Sequence, residues 1–289
     1  MILSEKEGVY FPEIDPKSCN SCGRCIASCP GQDVDFMQLN INIFGKDAED
    51  RILGNFAKCY AGHAKNHTIR YNASSGGLIT QLLMYLLKEG IITGALVTKM
   101  SEGNPLEPQP FIARTDSDIL EASKSKYCPV PLNIGLREIK RTRDGERIAV
   151  VGLPCHIHGI RKAEQQDKIL RDRIVLHIGI FCLYTINFNG TNDLLNRLGV
   201  KGEDVVSISY RGEGWPGSLS LEVKSGKRIT MSITDYYNSR FNSFIPKRCI
   251  LCFDHTCEFA DISFGDAWLP EFSNDSIGKS IVVARTEQS

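Results

Sequence analysis

Four closely spaced cysteines near the amino terminus constrain this chain more than any other feature of its sequence. Cys19, Cys22, Cys25 and Cys29 follow the spacing C-x2-C-x2-C-x3-C and precede a proline. Bacterial ferredoxins bind a [4Fe–4S] cluster with this pattern. The alternative is a zinc knuckle, but zinc sites usually use two separated pairs of ligands rather than four adjacent thiols and a proline. The run therefore predicts an iron–sulfur cluster and one-electron chemistry.

The fourth ligand of this cluster has two candidates. In ferredoxins with two clusters, the fourth cysteine of such a run binds the other cluster, and this chain has no second copy of the run. Either Cys29 or Cys59 completes the N-terminal cluster.

Composition and charge favour a large globular protein that binds neither nucleic acid nor a membrane. The chain has 289 residues, with 34 Lys plus Arg and 34 Asp plus Glu. Such a balance gives no basic surface for nucleic acid or acidic lipid. No apolar run reaches the roughly 20 residues of a membrane helix, and the start lacks a signal-peptide core. Eleven cysteines in such a chain predict metal ligands in a reducing cytoplasm rather than disulfides.

The hydrophobic pattern predicts an α/β fold in two parts. Residues 1–45 form a small ferredoxin-like cluster module without room for a core, and residues 46–289 form the main domain. Within the main domain, strand 148–153, helix 157–166 and strand 174–181 imply a parallel crossover. We therefore expect a mixed sheet with parallel crossovers, followed by a C-terminal β-hairpin and cysteine segment.

Local signals place further elements before the crossover. Leucines at helical spacing predict a helix from residue 78 that ends at Gly90. A strand is predicted over 91–97. Pro105, Pro108 and Pro110 then predict a loop before another short strand near Phe111.

Two cysteines follow consecutive predicted strands. Cys155 and Cys182 each lie one or two residues beyond the carboxyl end of a strand, where ligands bind in open α/β sheets. Cys249 and Cys252 form a C-x2-C pair that offers two more thiols. The four are candidates for a second metal site; the alternative is that Cys155 and Cys182 are ordinary buried cysteines.

A Ser-Ser-Gly-Gly sequence opens the leucine-rich helix. Ser74 and Ser75 are candidates to cap its free amides, and Gly76 and Gly77 would let a ligand approach the backbone. An exposed helix N-terminus binds anions, so a phosphate or pyrophosphate is the candidate ligand. A plain helix cap is the alternative.

A second glycine-rich segment does not carry a nucleotide. Residues 212–217 match the dinucleotide fingerprint G-x-G-x-x-G, which requires a helix immediately afterwards. Alternating apolar residues and a Ser225-Gly226 turn follow instead, and they predict a β-hairpin. The sequence therefore supports no nicotinamide site.

Five segments together resemble the coenzyme F420 hydrogenase/dehydrogenase beta-subunit family. They are CNSCGRCIASCP, NASSGGLITQLLMYLLKEGIITGALV, SKYCPVP, GLPCHIHGIRK with the following GIFC, and RCILCFDHTCEFADISFGDAW. They occur in family order and cover nearly the whole chain. Members of this family bind FAD and iron–sulfur clusters and pass electrons between a deazaflavin and a partner.

The resemblance implies a FAD and [4Fe–4S] catalytic domain over residues 46–289. It implies that Cys155, Cys182, Cys249 and Cys252 bind a second [4Fe–4S] cluster close to the flavin. The implied FAD-binding residues are Ser74, Ser75, Gly76, Gly77, Thr80, Ser125, Lys126 and Tyr127. Lys126 is the implied catalytic residue, since its positive charge would favour the anionic reduced flavin; the alternative is a surface lysine.

The resemblance also implies a function. Reduced coenzyme F420 would give a hydride to FAD, and single electrons would pass through the Cys155 cluster and the Cys19 cluster to a redox partner such as a hydrogenase, a dehydrogenase or a ferredoxin-like protein. The direction of flow and the oligomeric state stay open. Relatives extend beyond the position of Ser289, which leaves open a truncation or a short variant.

Other functions remain in view. The ferredoxin-like run is not universal in the family, and relatives include a chlorophyll-pathway reductase that does not use F420. The alternatives are therefore a family member with a non-F420 substrate, an electron-transfer subunit without flavin, and a zinc-stabilised interaction module.

Overall fold

A seven-stranded mixed sheet organises the chain in the computed structural model, which describes residues 1–239 and 241–286. Among these residues the strands are β1 (Ile2–Ser4), β2 (Val9–Phe11), β3 (Lys58–Gly62), β4 (Gly94–Met100), β5 (Pro108–Ala113), β6 (Ile148–Gly152), β7 (Ile174–Ile180), β8 (Val205–Ser209), β9 (Ser218–Val223), β10 (Arg228–Ser232), β11 (Ile262–Asp266) and β12 (Ser280–Ala284).

Eleven α-helices connect these strands in the same described ranges. They are α1 (Arg24–Ala27), α2 (Phe36–Phe44), α3 (His67–Asn72), α4 (Leu78–Lys88), α5 (Asp116–Glu121), α6 (Leu136–Arg141), α7 (Pro154–Gln166), α8 (Lys168–Arg173), α9 (Phe188–Arg197), α10 (Ile233–Asn238) and α11 (Lys247–Ile250). Short 3-10 turns span Leu132–Gly135, Gly202–Asp204, Phe241–Phe244 and Pro270–Phe272.

The large sheet has the strand order β3-β12-β11-β7-β6-β4-β5. Strands β11, β7, β6 and β4 pair in parallel with one another, whereas β5 and β12 run antiparallel to their neighbours. The predicted α/β class with parallel crossovers is confirmed. The unit formed by β6, α7 and β7 lies within a residue or two of its predicted strand boundaries, because buried parallel strands are continuous apolar runs.

Helices cover both faces of this sheet. On one face, α4 buries Leu83 and Leu86 against residues of β4, β6, β7, β11 and β12. On the other, α7 buries Ile157 and Ile160 against β4 and β6. Each fully buried aliphatic side chain contributes about 1.5–3 kcal/mol of transfer free energy. The sheet therefore forms the central layer of a three-layer structure.

A second sheet lies outside the main one. Strands β8, β9 and β10 form an antiparallel sheet, and its core contains Leu219, Leu221, Ile233 and Tyr236. The predicted hairpin is confirmed as β9 and β10, and the glycine-rich segment before it leads into a strand rather than a helix. Strand β8 was not predicted, so the hairpin belongs to a larger unit than the sequence indicated.

The N-terminal residues pack on both cores. Leu3 and Tyr10 of the β1–β2 hairpin contact the core of the second sheet, while Leu39 of α2 is buried in the core beside α7. The boundary between residues 45 and 46 stays a prediction, since this segment shares its apolar contacts with the rest of the chain.

Two local predictions were wrong in detail. Strand β4 starts at Gly94 rather than at residue 91, because the amides of Ile91 and Ile92 both donate to the carbonyl of Leu86 and complete the turn after α4. Strand β5 starts at Pro108, inside the predicted proline loop. It is an edge strand, where the missing N–H of proline is tolerated.

No helix in the described ranges is long and apolar enough to cross a membrane.

Candidate cofactor-binding rim

The carboxyl ends of the parallel strands meet at one edge of the large sheet, which we call the rim. Strand β6 leads through Leu153 into α7 and Cys155, and β7 leads through Phe181 into Cys182. Strand β11 ends at Asp266 on the same edge. The rim therefore brings together the predicted residues that follow separate strands, as expected for a ligand site in an open α/β sheet.

The cysteines Cys155, Cys182, Cys249 and Cys252 lie within electrostatic range of one another; we call them the inner group. Burial raises the pKa of the Cys155 thiol to about 11, and the thiols of Cys249 and Cys252 add to that shift. The pKa of Cys182 is raised further by burial and then by the other three thiols. Cys155 as a residue is nevertheless exposed to solvent.

Hydrogen bonds hold the loop after Cys252 against β7 and α7. The amide of Cys182 donates to the carbonyl of His255 at 3.0 Å, and Nδ1 of His255 donates back to the carbonyl of Cys182 at 2.9 Å. Nε2 of His158, in α7, lies 2.7 Å from the buried carboxylate of Asp254. That carboxylate also accepts the amides of Thr256 and Glu258. The three segments of the inner group are thus tied together by buried polar contacts.

The donor set of the inner group suits a cluster better than a single ion. Within the described residues, no three His, Cys, Asp or Glu side chains converge closely enough to hold one metal ion. A cubane presents four separate irons, so each thiol binds its own iron and the thiols need not converge on one point. Cys257, which is fully buried beside this group, was not among the predicted ligands.

The cysteine run near the amino terminus forms an exposed loop, which we call the outer loop (residues 19–29). Cys19, Cys22 and Cys25 are exposed and Cys29 is partly buried. Gly23 has a left-handed backbone, with φ of 72°, and begins α1. Cys59, the other candidate fourth ligand, lies on edge strand β3 opposite Val283.

The outer loop docks on α7, the helix whose first turn carries Cys155. Nε2 of Gln166 donates to Oγ of Ser28 at 3.3 Å. Nζ of Lys162 donates to the carbonyl of Cys29 at 3.4 Å. Immediately after the loop, Gly31 lies against the guanidinium of Arg248, the neighbour of Cys249. Both groups of cysteines therefore share α7 and α11 as supports.

The Ser-Ser-Gly-Gly segment lies at the rim, but its residues act differently from the expectation. Gly77 is the residue before α4, in a left-handed conformation, and no side chain caps the helix. Oγ of Ser74 accepts the amide of Ser125 at 2.8 Å, and Oγ of Ser75 bonds to Oγ of Ser280 at 2.9 Å. The serines were predicted to cap α4, but they join segments of the rim instead. The first amides of α4 therefore lack a side-chain acceptor.

Gly76 is required by the protein's own packing. A Cβ atom at this position would lie 2.6 Å from the carbonyl oxygen of Gly62 and 2.7 Å from the amide of Ser280. The amide of Gly76 also donates to Oγ of Ser280 at 3.0 Å. Two strand ends thus fill the space in the direction of a Cβ at residue 76, and the expectation that Gly76 contacts the cofactor stays a prediction. Thr80, in the first turn of α4, is buried.

Lys126 lines a cleft at the rim and binds the end of α5. Its Nζ donates to the carbonyls of Ala122, Ser123 and Lys124. Burial lowers the pKa of this amine to about 7, and Lys124 adds to that shift. The three carbonyl oxygens oppose the shift because they favour the charged form. Lys126 is therefore not the freely exposed lysine of the alternative interpretation.

The cleft lies between the main sheet and the second sheet and has a volume of about 280 Å³. Residues of β4, α5, the 123–126 segment and β8 line it. Ligand pockets start at about 300 Å³, so the cleft has room for one part of a dinucleotide.

Tyr127, one of the implied FAD-binding residues, belongs to an aromatic and charged cluster beside the cleft, and the other members of this cluster were missed by the sequence reasoning. Tyr127 stacks on Tyr236 with ring centroids 5.6 Å apart. The guanidinium of Arg211 lies 2.5 Å from the carboxylate of Asp266 and 5.5 Å from the ring centroid of Trp268. The signals that could have found this cluster are the glycine-rich segment next to Arg211 and the Gly-Asp-Ala-Trp sequence at the end of β11.

Three family models match the chain. A 4Fe–4S binding domain covers residues 11–34, the N-terminal part of the coenzyme F420 hydrogenase/dehydrogenase beta subunit covers residues 59–136, and the C-terminal part of that subunit covers residues 145–289. The fold and the matched domain define an iron–sulfur protein with an α/β core. The chain belongs to the coenzyme F420 hydrogenase/dehydrogenase beta-subunit family, and the predicted resemblance is confirmed.

Several characterised relatives are similar over most of the chain. The coenzyme F420 hydrogenase subunit beta of Methanothermobacter thermautotrophicus is 27% identical over 82% of this chain and 79% of its own length. The coenzyme F420-dependent sulfite reductase of Methanocaldococcus jannaschii is 25% identical over 95% of this chain and 45% of that enzyme. A chain of the F420-reducing [NiFe] hydrogenase complex from Methanosarcina barkeri superposes with a TM-score of 0.64 at 25% identity, covering 83% of this chain and 78% of that one.

Proposed function

We propose that this protein is an iron–sulfur flavoprotein oxidoreductase that passes electrons between coenzyme F420 and a one-electron partner protein. The observation that carries the proposal is the arrangement of the rim. Four thiols from three separate segments gather there, and the cleft with Lys126 and Ser125 opens on the same edge. Ligands bind at this edge in open α/β sheets.

The flavin would be held where two segments meet. Ser74 and Ser125 are hydrogen bonded to each other, so the start of α4 and the 125–127 segment form one continuous surface. The first amides of α4, which lack a side-chain acceptor, would face anionic groups of the cofactor. When bound, FAD exchanges a hydride with one partner and single electrons with another, which is the chemistry that joins F420 to a cluster.

Lys126 would hold positive charge at this surface. Its Nζ is fixed by three carbonyl oxygens, so its position does not depend on the ligand. A fixed cation in a partly buried site stabilises nearby negative charge more than a mobile surface lysine does. This supports the role that the family resemblance implies for Lys126.

The cysteines would hold two [4Fe–4S] clusters. The inner group would bind one cluster at the rim, and Cys19, Cys22, Cys25 and Cys29 would bind the other. Cys29 is favoured over Cys59 as the fourth ligand because Cys29 and its neighbour Ser28 both contact α7, so Cys29 is held with the rest of the outer loop. Cys59 lies on strand β3 instead. α7 contacts the outer loop through Lys162 and Gln166 and carries Cys155 in its first turn, so one helix would support both clusters.

A partner protein would dock on the face around the cysteines. Large apolar side chains are exposed there next to cluster ligands: Ile26, Leu183, Ile250, Leu251 and Phe253. Leu251, between Cys249 and Cys252, is 81% exposed. Large exposed apolar side chains of this kind support a protein interaction site. Relatives named as hydrogenase subunits support a partner subunit as the occupant.

The proposal is tested by the cofactor content of the anaerobically purified protein. We expect about eight irons, a matching amount of acid-labile sulfide, and FAD released on denaturation. Clusters without flavin would establish the electron-transfer subunit instead. A colourless protein with zinc would establish the interaction module.

The reaction is tested by single-turnover reduction of the bound flavin. Reduced F420 is expected to bleach the flavin absorbance, and NADH is not, because the only G-x-G-x-x-G match in the sequence leads into strand β9. Bleaching by NADH and not by reduced F420 would remove the protein from the deazaflavin branch and leave the flavin and cluster chemistry.

A further inference from the structure

The cleft at the rim is lined by three lysines and one glutamate, and the three ammonium groups differ in what they contact. The lysines are Lys99, Lys124 and Lys126, and the acid is Glu121. Nζ of Lys99 is paired with Glu121 at 3.1 Å and with Glu102 at 3.2 Å. Nζ of Lys126 is taken up by backbone carbonyls. Within the described part of the chain, the ammonium of the third lysine, Lys124, forms no ion pair with a carboxylate and donates no hydrogen bond.

The backbone directs Lys124 toward this position. Its φ is 71°, in the left-handed region that lysine rarely adopts. Its side chain passes over Gly212, where Cε and Nζ lie 3.1 and 3.3 Å from the place of an absent Cβ. A residue in such a conformation persists only when its surroundings hold it, and functional sites are where such residues concentrate.

Ser125 offers a second donor beside Lys124. Its amide is bonded to Oγ of Ser74, which links the cleft to the start of α4, and its side chain lines the cleft. The other two cleft serines use their hydroxyls elsewhere: Ser123 donates to the carbonyl of Leu120 and Ser209 to that of Arg211. The charges of the other two cleft lysines are already used, that of Lys99 by carboxylates and that of Lys126 by backbone carbonyls. The ammonium of Lys124 and the hydroxyl of Ser125 therefore remain to bind an anion.

We infer that the cleft binds a phosphate group, with Nζ of Lys124 as its charge partner and Oγ of Ser125 as a hydroxyl donor. The inference rests on the proposed function, in which the phosphate is the pyrophosphate of FAD. Lysine is a point-charge binder of phosphates, and the cleft volume of about 280 Å³ suits one such group with an adjoining ring. The pyrophosphate is thereby assigned to the 124–125 segment beside α4, where the ammonium of Lys124 has no carboxylate partner among the ion pairs of the described residues.

Lys124→Gly is the test variant, because glycine adopts a positive φ without strain and the loop is kept. Lys168→Gln is the control, since Lys168 is paired with Asp172 within α8 and does not line the cleft. Flavin-depleted protein that keeps its irons is titrated with FAD and with riboflavin, which has no phosphate, and flavin fluorescence is followed. Far-ultraviolet circular dichroism and iron content verify that both variants are folded.

We expect Lys124→Gly to weaken FAD binding about tenfold or more, as for loss of a charge-assisted hydrogen bond, with riboflavin binding unchanged and Lys168→Gln at the wild-type value. Inorganic pyrophosphate should compete with FAD in the wild type and not in Lys124→Gly. If FAD affinity is unchanged but half-saturation by reduced F420 rises by a similar factor, the phosphate belongs to that substrate. Unchanged affinity for both, with no pyrophosphate competition, overturns the inference.

The outcomes separate this inference from the proposed function. A wild-type protein that binds neither FAD nor riboflavin contradicts the flavoprotein proposal. In that case direct calorimetric titration of wild type and Lys124→Gly with inorganic pyrophosphate still decides whether Lys124 holds a phosphate.

Discussion

The outer loop and the inner group present the same chemical group, a cysteine thiol, in opposite structural settings. The outer thiols come from residues 19–29, and three of the four are exposed. The inner thiols come from three segments: the first turn of α7, the loop after β7, and residues 249–252. Buried hydrogen bonds, such as that between His158 and Asp254, tie these segments together. A cluster in the outer loop depends on local spacing, whereas one in the inner group depends on the fold of the whole sheet.

This difference has a consequence for the flow of electrons. The inner group shares the rim with the cleft, and the outer loop is supported on α7. A cluster that shares the rim with the cleft would be suited to exchange with a bound cofactor, and a cluster in an exposed loop would be suited to exchange with a partner. In the proposed function the two groups would therefore serve different ends of the electron path.

The largest expected effect is on cluster content. Cys22→Ser should remove about four irons and leave flavin bound, because the outer loop lies outside the cleft. Cys182→Ser should also remove about four irons, but it should shift the flavin absorbance as well, since Cys182 lies at the rim. Iron, sulfide and FAD assays on anaerobically purified variants measure both effects.

Cys128→Ala is the control for these variants, since Cys128 is buried in the core of the second sheet and should keep all irons. About four irons in the unmodified protein would contradict the two-cluster proposal. Equal flavin spectra for the Cys22 and Cys182 variants would break the distinction between the two groups.

A smaller effect is expected from alanine at glycines of the two regions. Gly76→Ala at the rim should lower the free energy of unfolding by about 1–3 kcal/mol, because its Cβ would press on the backbone of Gly62 and Ser280. In the outer loop, a Cβ at residue 23 would meet open space. Gly23→Ala should therefore lower the free energy of unfolding only through its positive φ, by about 1 kcal/mol. Urea denaturation of the three proteins measures the difference.

Gly62→Ala is the matched control at the rim, since its Cβ would meet only Leu78 at an ordinary 3.7 Å. If Gly76→Ala were as stable as the wild type, the rim would be looser than described.

The smallest effect is expected in acid. Burial by itself would raise the pKa of Asp261, but hydrogen bonding from His177 and the nearby Arg161 guanidinium hold it well below its usual range. A carboxyl whose pKa is depressed in the folded chain contributes stability that is present above the unfolded pKa of about 4 and is lost as the pH falls toward the folded pKa. We therefore expect the unfolding free energy to decrease below about pH 4.

Asp261→Asn should flatten this acid limb, which urea denaturation at a series of pH values measures. Asp15→Asn is the comparison in the N-terminal segment: a hydrogen bond from Ser18 lowers the pKa of Asp15 as well, but the side chain is fully exposed, so solvent screening should leave little change. An acid limb that responds to Asp15 and not to Asp261 would reverse the contrast between the two regions.

Several features follow from local sequence alone. The spacing of the outer cysteines is a property of consecutive residues, and a matching 4Fe–4S domain covers them. Leucine spacing was sufficient to predict α4, and the continuous apolar runs of β6 and β7 were sufficient to predict a parallel pair. In each case the physical signal repeats within one turn of helix or one strand, so it is complete in a short stretch of chain.

The tertiary structure decided what distant segments do to one another. Strand β3 pairs with β12 from the opposite end of the chain, and their ends at Gly62 and Ser280 fill the space where a Cβ of residue 76 would lie. Likewise Arg211 meets Asp266, and Lys124 remains without a counter-ion while Lys99 has two. Local sequence determines which residues can donate, accept or turn. Tertiary packing determines which of them face an empty space, because that depends on atoms contributed by segments that are distant in the sequence, such as Ser280 beside Gly76.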